Sequence, residues 1–269
     1  MTPGDPLSFL RLMALDEQRP VSPRSLVELA YERLLSMLVT MKIAPGAHMG
    51  IEALARELQI SQTPVREALT LLEAQKLAHR IPNVGFRAAD LLSRQEINDL
   101  YGLRLLIEPM AAALAAEKGG DTTFDALTRL AEEMGAVSAS SDNGYTRFAE
   151  GDAWLHHLVA TASGNRFIAE AIAGLNVHLH IFRFLFESNA TEGAMKEHAV
   201  LIEALLARDP AAAEQAMRVH LQASRDRMNL VMNERERSAG IADAPPDTVH
   251  ARPRRTRGKR SKPELGSAD

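Results

Sequence analysis

Residues 43–88 read IAPGAHMGIEALARELQISQTPVREALTLLEAQKLAHRIPNVGFRA. Ala44-Pro45-Gly46 is turn chemistry that stops a preceding helix. Ile51–Leu58 reads as a short helix and Gln59-Ile60-Ser61 as a three-residue break. A second helix is predicted over 62–75, with Ser61 as its N-cap and Pro64 in the first turn, where a missing N–H costs nothing. Two short helices joined by such a turn are the ingredients of a helix-turn-helix. Ala55, Leu58, Ile60, Val65, Leu69 and Leu72 would form the core between them. Two extended stretches, 78–81 and 86–88, flank Pro82-Asn83-Val84-Gly85 and predict a small β-hairpin.

In that motif the second helix enters the major groove N-terminus first. It would present Ser61, Gln62, Thr63 and Arg66; arginine can pair bidentately with a guanine and glutamine with an adenine. The hairpin has the size of a wing for the minor groove, with Arg80, Asn83, Gly85 and Arg87 available. Spacing alone leaves double-stranded DNA and an ordinary helical pair equally open. The pieces PG (45–46), LA (54–55), IS and TPVREAL (60–61 and 63–69) and PNVG (82–85), in that order and spacing, closely resemble the winged-helix domain of the GntR superfamily. The resemblance implies that Thr63, Arg66 and Gly85 approach DNA and that Glu67 pairs within the fold. Many relatives carry Arg where this chain has Gln62, so the resemblance does not carry a base preference.

Outward from this block, apolar residues Leu26, Leu29, Ala30, Leu34, Leu38 and Met41 recur at helical spacing and predict a helix over 25–41. Residues 1–24, with Pro3, Pro6, Pro20 and Pro23, read as a loose arm. Downstream the chain reads as six helices without a strand. Ser93 with Glu96 makes a capping box that opens 93–117, ended by Gly119-Gly120. Helices over 123–137 and 145–162 follow, then one capped by Asn165 and running to 187, one over 195–208, and a last to 236 launched by Asp209 and Pro210. Beyond Ser238 the composition predicts disorder. The expected fold is mainly α: an arm (1–24), a winged helix-turn-helix (25–90), an all-α, six-helix antiparallel bundle (91–237) and a basic tail (238–269).

At 269 residues the chain is long enough for two domains, each with its own core. Hydrophobic residues at 46% and charged ones at 25% are ordinary for a soluble globular protein, and aromatics at 4% favour helix over sheet. No cysteine is present, which excludes disulfides and thiolate metal sites. No apolar run approaches the roughly 20 residues of a bilayer span, and the N-terminus lacks a secretory signal, so no membrane partner and a cytoplasmic location are expected. The net charge of −4 argues mildly against nucleic acid. The basic run Arg252, Arg254, Arg255, Arg257, Lys259, Arg260 and Lys262 lies in the tail, where it proves little.

The second half carries a different signal. Asp152 and His156 are four residues apart, on one helix face with Phe148, Leu155 and Val159. His198 shares an apolar stripe with Met195, Ile202 and Leu205, and His220 one with Ala213, Met217 and Met228. His198 lies eleven residues before Asp209 and His220 eleven after it, so two helices packed antiparallel about that turn bring both imidazoles to one level. Three imidazoles and a carboxylate on buried stripes demand partners, and the set suits zinc, nickel, iron or manganese. A single core histidine is more often packing, which is the reading for His157, His178 and His180.

YGLRLLIEPMAAALAA (101–116), DAWLHHLVATASGN (152–165), EHAVLIEAL (197–205) and AAAEQAMRVHL (211–221) resemble the FCD effector domain of the FadR subfamily. By that resemblance Asp152, His156, His198 and His220 fall on the metal positions, zinc first, and the effector is a small organic or sugar acid rather than an acyl-CoA. Leu155 stands where Phe is usual, a change of packing only. Four ligands on an octahedral ion leave two positions for a bidentate carboxylate. Arg104 is the residue expected to clamp a second charged end of the effector, with Arg183 a weaker candidate; the competing role for Arg104 is an ion pair to Glu108 four residues on. The expected function is a homodimeric, ligand-responsive repressor on a palindromic operator, not an enzyme. Two alternatives stand beside it: a metalloenzyme using the Asp/His set, disfavoured because no H-E-x-x-H-like general base is present, and a DNA-binding dimer whose helical domain is purely structural.

Overall fold

This computed structural model describes residues 25–136, 142–175, 177–186 and 190–238. The N-terminal arm and the basic tail lie outside them. In order the elements are α1 (Leu26–Val39), β1 (His48–Met49), α2 (Ile51–Leu58), α3 (Gln62–Ala74), β2 (Ala78–Ile81), β3 (Gly85–Ala88), α4 (Arg94–Lys118), α5 (Asp121–Ala136), α6 (Asp142–Ala162), α7 (Arg166–Leu175), α8 (Val177–Leu185), α9 (Ala190–Leu206) and α10 (Pro210–Ser238). The described residues up to Met232 make one compact unit; Asn233–Ser238, the described residues beyond it, fall in a second.

The first six elements build the winged helix. Ser25 and Glu28 form a capping box that starts α1. Gln59, left-handed at φ 57°, ends α2 and turns the chain into α3. Val65, Ala68, Leu69 and Leu72 are buried on one face of α3, which packs on α1; Ile60 is only half-buried. The predicted hairpin is β2–β3, paired from Ala78↔Ala88 to Ile81↔Gly85. A third strand, β1, pairs antiparallel with β3 (Met49↔Phe86) and gives the sheet order β1-β3-β2. Two residues show no alternation, so β1 is invisible to a pattern search.

Ser93 and Glu96 cap α4 as predicted. Asn165 Oδ1 accepts from the amides of Phe167 and Ile168, and Asp209 Oδ1 from that of Ala212. The single helix predicted from 165 to 187 is described as two segments, α7 and α8, on either side of residue 176. Across Arg166–Leu185 the chain is long and apolar enough to cross a membrane by length and composition, which corrects the expectation that no run comes near that; more than half of it is buried inside the protein, as a core helix is. At the centre is α6, which packs against α4, α5, α7, α8 and α1.

The expectation of two separate cores is overturned. Ala30, Tyr31, Leu34, Leu35, Leu38 and Val39 are all buried, a stripe too wide for one neighbour. They let α1 face α3 on one side and α6 and α8 on the other. One apolar cluster therefore runs from Leu34 and Leu69 to Phe148, Leu155 and Leu205. A smaller one joins Ile97, Tyr101, Ile181, Phe184 and Met228.

Candidate functional site

Gln62, Thr63 and Arg66 project from the first turns of α3 and are exposed, as is Ser61 before them. Ser61 holds the N-cap position, yet its hydroxyl caps nothing, contrary to expectation. The reason is local: the third helical residue is Pro64, which has no N–H to give. The first turn of α3 is thus left with a free hydroxyl and unpaired amides facing outward, an arrangement suited to a phosphate. Glu67 is exposed and makes no ion pair among the described residues, so it does not brace the fold as expected.

The wing tip is a tight turn in which the Val84 amide donates to the Ile81 carbonyl at 3.1 Å. Asn83 (φ 61°) and Gly85 (φ 116°) supply the positive dihedrals that the turn needs. Arg80 is less available than the sequence suggests. It lies 3.5 Å from Glu73, donates to Thr70 and sits 5.0 Å over the Phe86 ring, so its guanidinium is braced against α3. Arg87 is exposed.

In the helical region Asp152 and His156 on α6, His198 on α9 and His220 on α10 come together. One ligand atom from each lies within 4.8 Å of the others, and all four side chains are buried. Phe148, Leu155 and Val159 hold that face of α6 inward. His156 Nε2 and His220 Nε2 are 3.2 Å apart. Their Nδ1 atoms point the other way, His156 to Glu108 at 2.5 Å and His220 to Glu197 at 2.9 Å. A carboxylate only accepts, so each ring carries its proton on Nδ1 and turns an Nε2 lone pair toward the cluster. Arginines hold both carboxylates: Arg104 Nε is 2.5 Å from Glu108, and Arg227 reaches Glu197 with Nη1 at 2.5 Å and Nη2 at 2.8 Å.

Burial pushes the His156 imidazole down to about 3 and His220 to about 4, so both are neutral at neutral pH. Burial raises Glu197, but hydrogen bonds from Arg227 and His220 outweigh it and bring the carboxyl to about 2. Glu108 likewise lies well below the carboxylate range, Arg104 and His156 overcoming its burial. His198 stacks on Phe148 with ring centroids 6.1 Å apart. Its Nε2 lies 3.0 Å from Asp152 Oδ1 without hydrogen-bond geometry, so both ring nitrogens are buried and unpartnered. A buried nitrogen without a partner, two more lone pairs facing each other and a carboxylate beside them form a donor set that fits a divalent cation.

Arg104 takes the ion-pair role weighed against effector binding, being 1% exposed and tied to Glu108. Its Nη2 also stands 3.4 Å from both nitrogens of His156. Arg183 is placed elsewhere: Nη2 donates to the Ala89 carbonyl at 2.6 Å and Nη1 to that of Asp90 at 3.4 Å. Its guanidinium is committed to the linker after β3, which removes it as an effector ligand. His178 and His180, expected to be satisfied or partly exposed, are buried with an unpartnered ring nitrogen each. His157 is half-buried and stacks on Trp154 at 5.2 Å. Sequence reasoning missed Glu197, Arg227 and His178 as members of the site, and saw Glu108 only as a partner of Arg104. The adjacency Glu197-His198 was the one available signal for Glu197.

Residues 26–87 match the family model described as bacterial regulatory proteins, gntR family, and residues 99–223 match the FCD domain. The chain is 27% identical over 207 residues to the HTH-type transcriptional regulator LutR of Bacillus subtilis, across 69% of this chain and 93% of LutR. It is 26% identical over 206 residues to the HTH-type transcriptional repressor GlaR of Escherichia coli, across 71% of this chain and 90% of GlaR. Among solved structures, E. coli McbR/YncC superposes with a TM-score of 0.59 at 21% identity, covering 79% of this chain and 99% of that one, a likeness of fold.

Proposed function

Because the chain belongs to the gntR family of bacterial regulatory proteins, as a DNA-binding transcriptional regulator with an FCD domain behind its winged helix, we propose that it is a homodimeric repressor controlled by a small organic acid bound at a metal. The observation that carries the reading is the pair of Nε2 atoms of His156 and His220, 3.2 Å apart with each Nδ1 tied to a carboxylate. Asp152, His156, His198 and His220 would hold the ion, zinc before nickel, manganese or iron, and when bound it offers open coordination positions to a carboxylate. Arg104, beside His156, supplies a positive charge at the edge of that site.

Ser61, Gln62, Thr63 and Arg66 read the major groove, and the wing around Asn83 and Gly85 lies along the minor groove. Leu103, Leu106 and Met110 form an exposed apolar stripe on α4, 39%, 77% and 52% accessible, suited to a second copy of the chain. Two copies match a palindromic operator. The repressing sign follows GlaR. A regulator of this kind works where the chromosome is, in the cytoplasm. We assign no catalysis: Glu108 and Glu197, the carboxylates nearest the cluster, are each tied to an arginine and a histidine, which leaves neither free as a general base.

The test is metal analysis of the dialysed protein together with fluorescence anisotropy on a palindrome selected from random DNA. Selective binding of about 10³-fold or more over random sequence is expected at moderate salt, weakened by small carboxylates in zinc-loaded protein. No retained metal and no response to any carboxylate would leave the helical region a structural body only.

A further inference from the structure

We propose that Val84 is a specificity-determining residue of the wing: His48 pins its carbonyl, and its isopropyl group enters the minor groove, where it selects A·T over G·C pairs. The proposal rests on the groove assignment made above and adds the class of base pair preferred. The tip of the wing is Pro82-Asn83-Val84-Gly85, a stretch without a charge. Cations are the usual readers of a narrow minor groove. Here Arg80 is held back against α3, and Arg87 lies within the sheet, paired with His48 and His79.

What the tip offers instead is Val84, 54% exposed. A single exposed apolar residue is ordinary, but both backbone polar groups of this one are tied to the sheet, which leaves the side chain to face outward. The amide donates to the Ile81 carbonyl at 3.1 Å, and the carbonyl accepts from His48 Nε2 at 3.1 Å. His48 belongs to β1, so it binds the turn to the third strand as well as to the two that the turn joins. Its ring lies between two glycines: a Cβ on Gly50 would stand 3.2 Å from Cε1 and one on Gly85 3.6 Å from Nε2. A carbonyl only accepts, so Nε2 carries a proton whether the ring is neutral or charged. His48 is thus a positioning residue, and Val84 is what it presents. On the groove floor an A·T pair shows only acceptors, whereas guanine adds an amino group. Methyl groups cannot accept from that amino group, and covering it leaves a donor unpaired. Asn83, exposed beside Val84, carries amide N–H groups that the A·T acceptors can take.

The full chain is titrated by fluorescence anisotropy onto the palindrome selected from random DNA, with each adenine replaced in turn by 2,6-diaminopurine. That base adds guanine's amino group to the minor groove and leaves the major-groove edge of adenine unchanged. In the native chain the replacement is expected to weaken binding about fivefold or more at the pairs under the wing, outside the bases read by α3. Val84→Ala and His48→Ala each bring that ratio to about one. His48→Gln keeps it, because its amide N–H stands where Nε2–H was. Thermal melts check that each variant folds as the native chain does. A ratio retained in Val84→Ala or in His48→Ala, or lost in His48→Gln, overturns the proposal. A native chain that binds its palindrome selectively yet is indifferent to the added amino group everywhere overturns it alone; one with no selective binding overturns the groove assignment with it.

Discussion

Replacing Glu150 by Gln is expected to stabilise the protein at pH 8 and to leave it unchanged at pH 4.5. Glu150 lies on α6, is 6% exposed and faces α1. Burial pushes its carboxyl up to about 7; the Glu32 carboxylate on α1 adds to the rise and Arg147 opposes it. In the unfolded chain the same group titrates near 4.5. Between those values the folded state binds the proton more tightly than the unfolded state, so stability is lost as pH climbs through about 7 and the loss is absent below 4.5. At ~1.36 kcal/mol per pKa unit the full loss is about 3 kcal/mol, a sizeable share of a typical ~5–15 kcal/mol stability. Gln keeps the shape and never ionises. Thermal melts of native chain and Glu150→Gln at several pH values between 4.5 and 8.5 read the effect. The gap between them should open from near zero to about 6–12 °C, at roughly 2–4 °C per kcal/mol. A gap that is equal at both ends of the range would show that the carboxyl is not held protonated by the α1–α6 contact, and the reasoning fails. Glu32→Gln should close part of the gap by removing the neighbouring charge.

Three further outcomes follow from the geometry. Arg66→Ala should cost about 1–3 kcal/mol of operator binding and relax sequence preference, measured by anisotropy against specific and random duplexes; an equal loss on both would make Arg66 a phosphate contact only. Glu197→Gln keeps the side chain's shape but removes the charge that fixes His220, so zinc affinity should fall about 10–100-fold in chelator competition, and an unchanged value would mean that the carboxylate does not orient the ring. Arg183→Met leaves the buried Ala89 carbonyl without its donor, and urea melts should show a loss of about 1–3 kcal/mol; a change of a few tenths would show that the linker is not held there.

Much of the fold is legible wherever local chemistry decides it. The limits of α2, the turn at Gln59 and the start of α3 follow from apolar spacing and Pro64, and the caps at Ser93 and Asp209 follow from residue type alone. The four-residue cluster is legible because each member sits on a stripe of apolar neighbours that marks the buried face of its helix. What depends on contact between helices is not. Arg104 and Glu108, four apart, read equally well as a surface pair, and only the approach of His156 gives their charge a use. Glu197 and Arg227 meet from α9 and α10, thirty residues apart. His178 lies in Val177–Leu185, VHLHIFRFL, which is apolar nearly all round; such a segment has no wet side from which to infer the direction of a polar residue. The shared core escaped because the width of the α1 stripe is informative only once two neighbours are seen to claim it.

That shared core also constrains how a ligand in the helical region can reach the DNA-binding half. No loose hinge separates them: α1 packs directly on α6 and α8, Thr146 donates to Ser36 across the seam at 3.2 Å, and Arg183 holds the linker at Ala89. Asp152 and His156 sit on α6, while His178 and Arg183 sit on α8. One helix of the cluster, α6, and the neighbouring α8 are therefore helices on which α1 rests, while His198 and His220 come from α9 and α10. To invert an equilibrium between two arrangements of the winged helix from 1:99 to 99:1, a ligand must favour one by about 5.5 kcal/mol. Burial of a small acid spread over a flexible linker would dissipate that preference, whereas contacts from Asp152 to His178 and, along α8, from Arg183 to the Ala89 and Asp90 carbonyls would concentrate it directly after the wing. The buried Arg183 guanidinium on α8, costly to displace, is what would make such a path stiff enough to act as a switch rather than a spring.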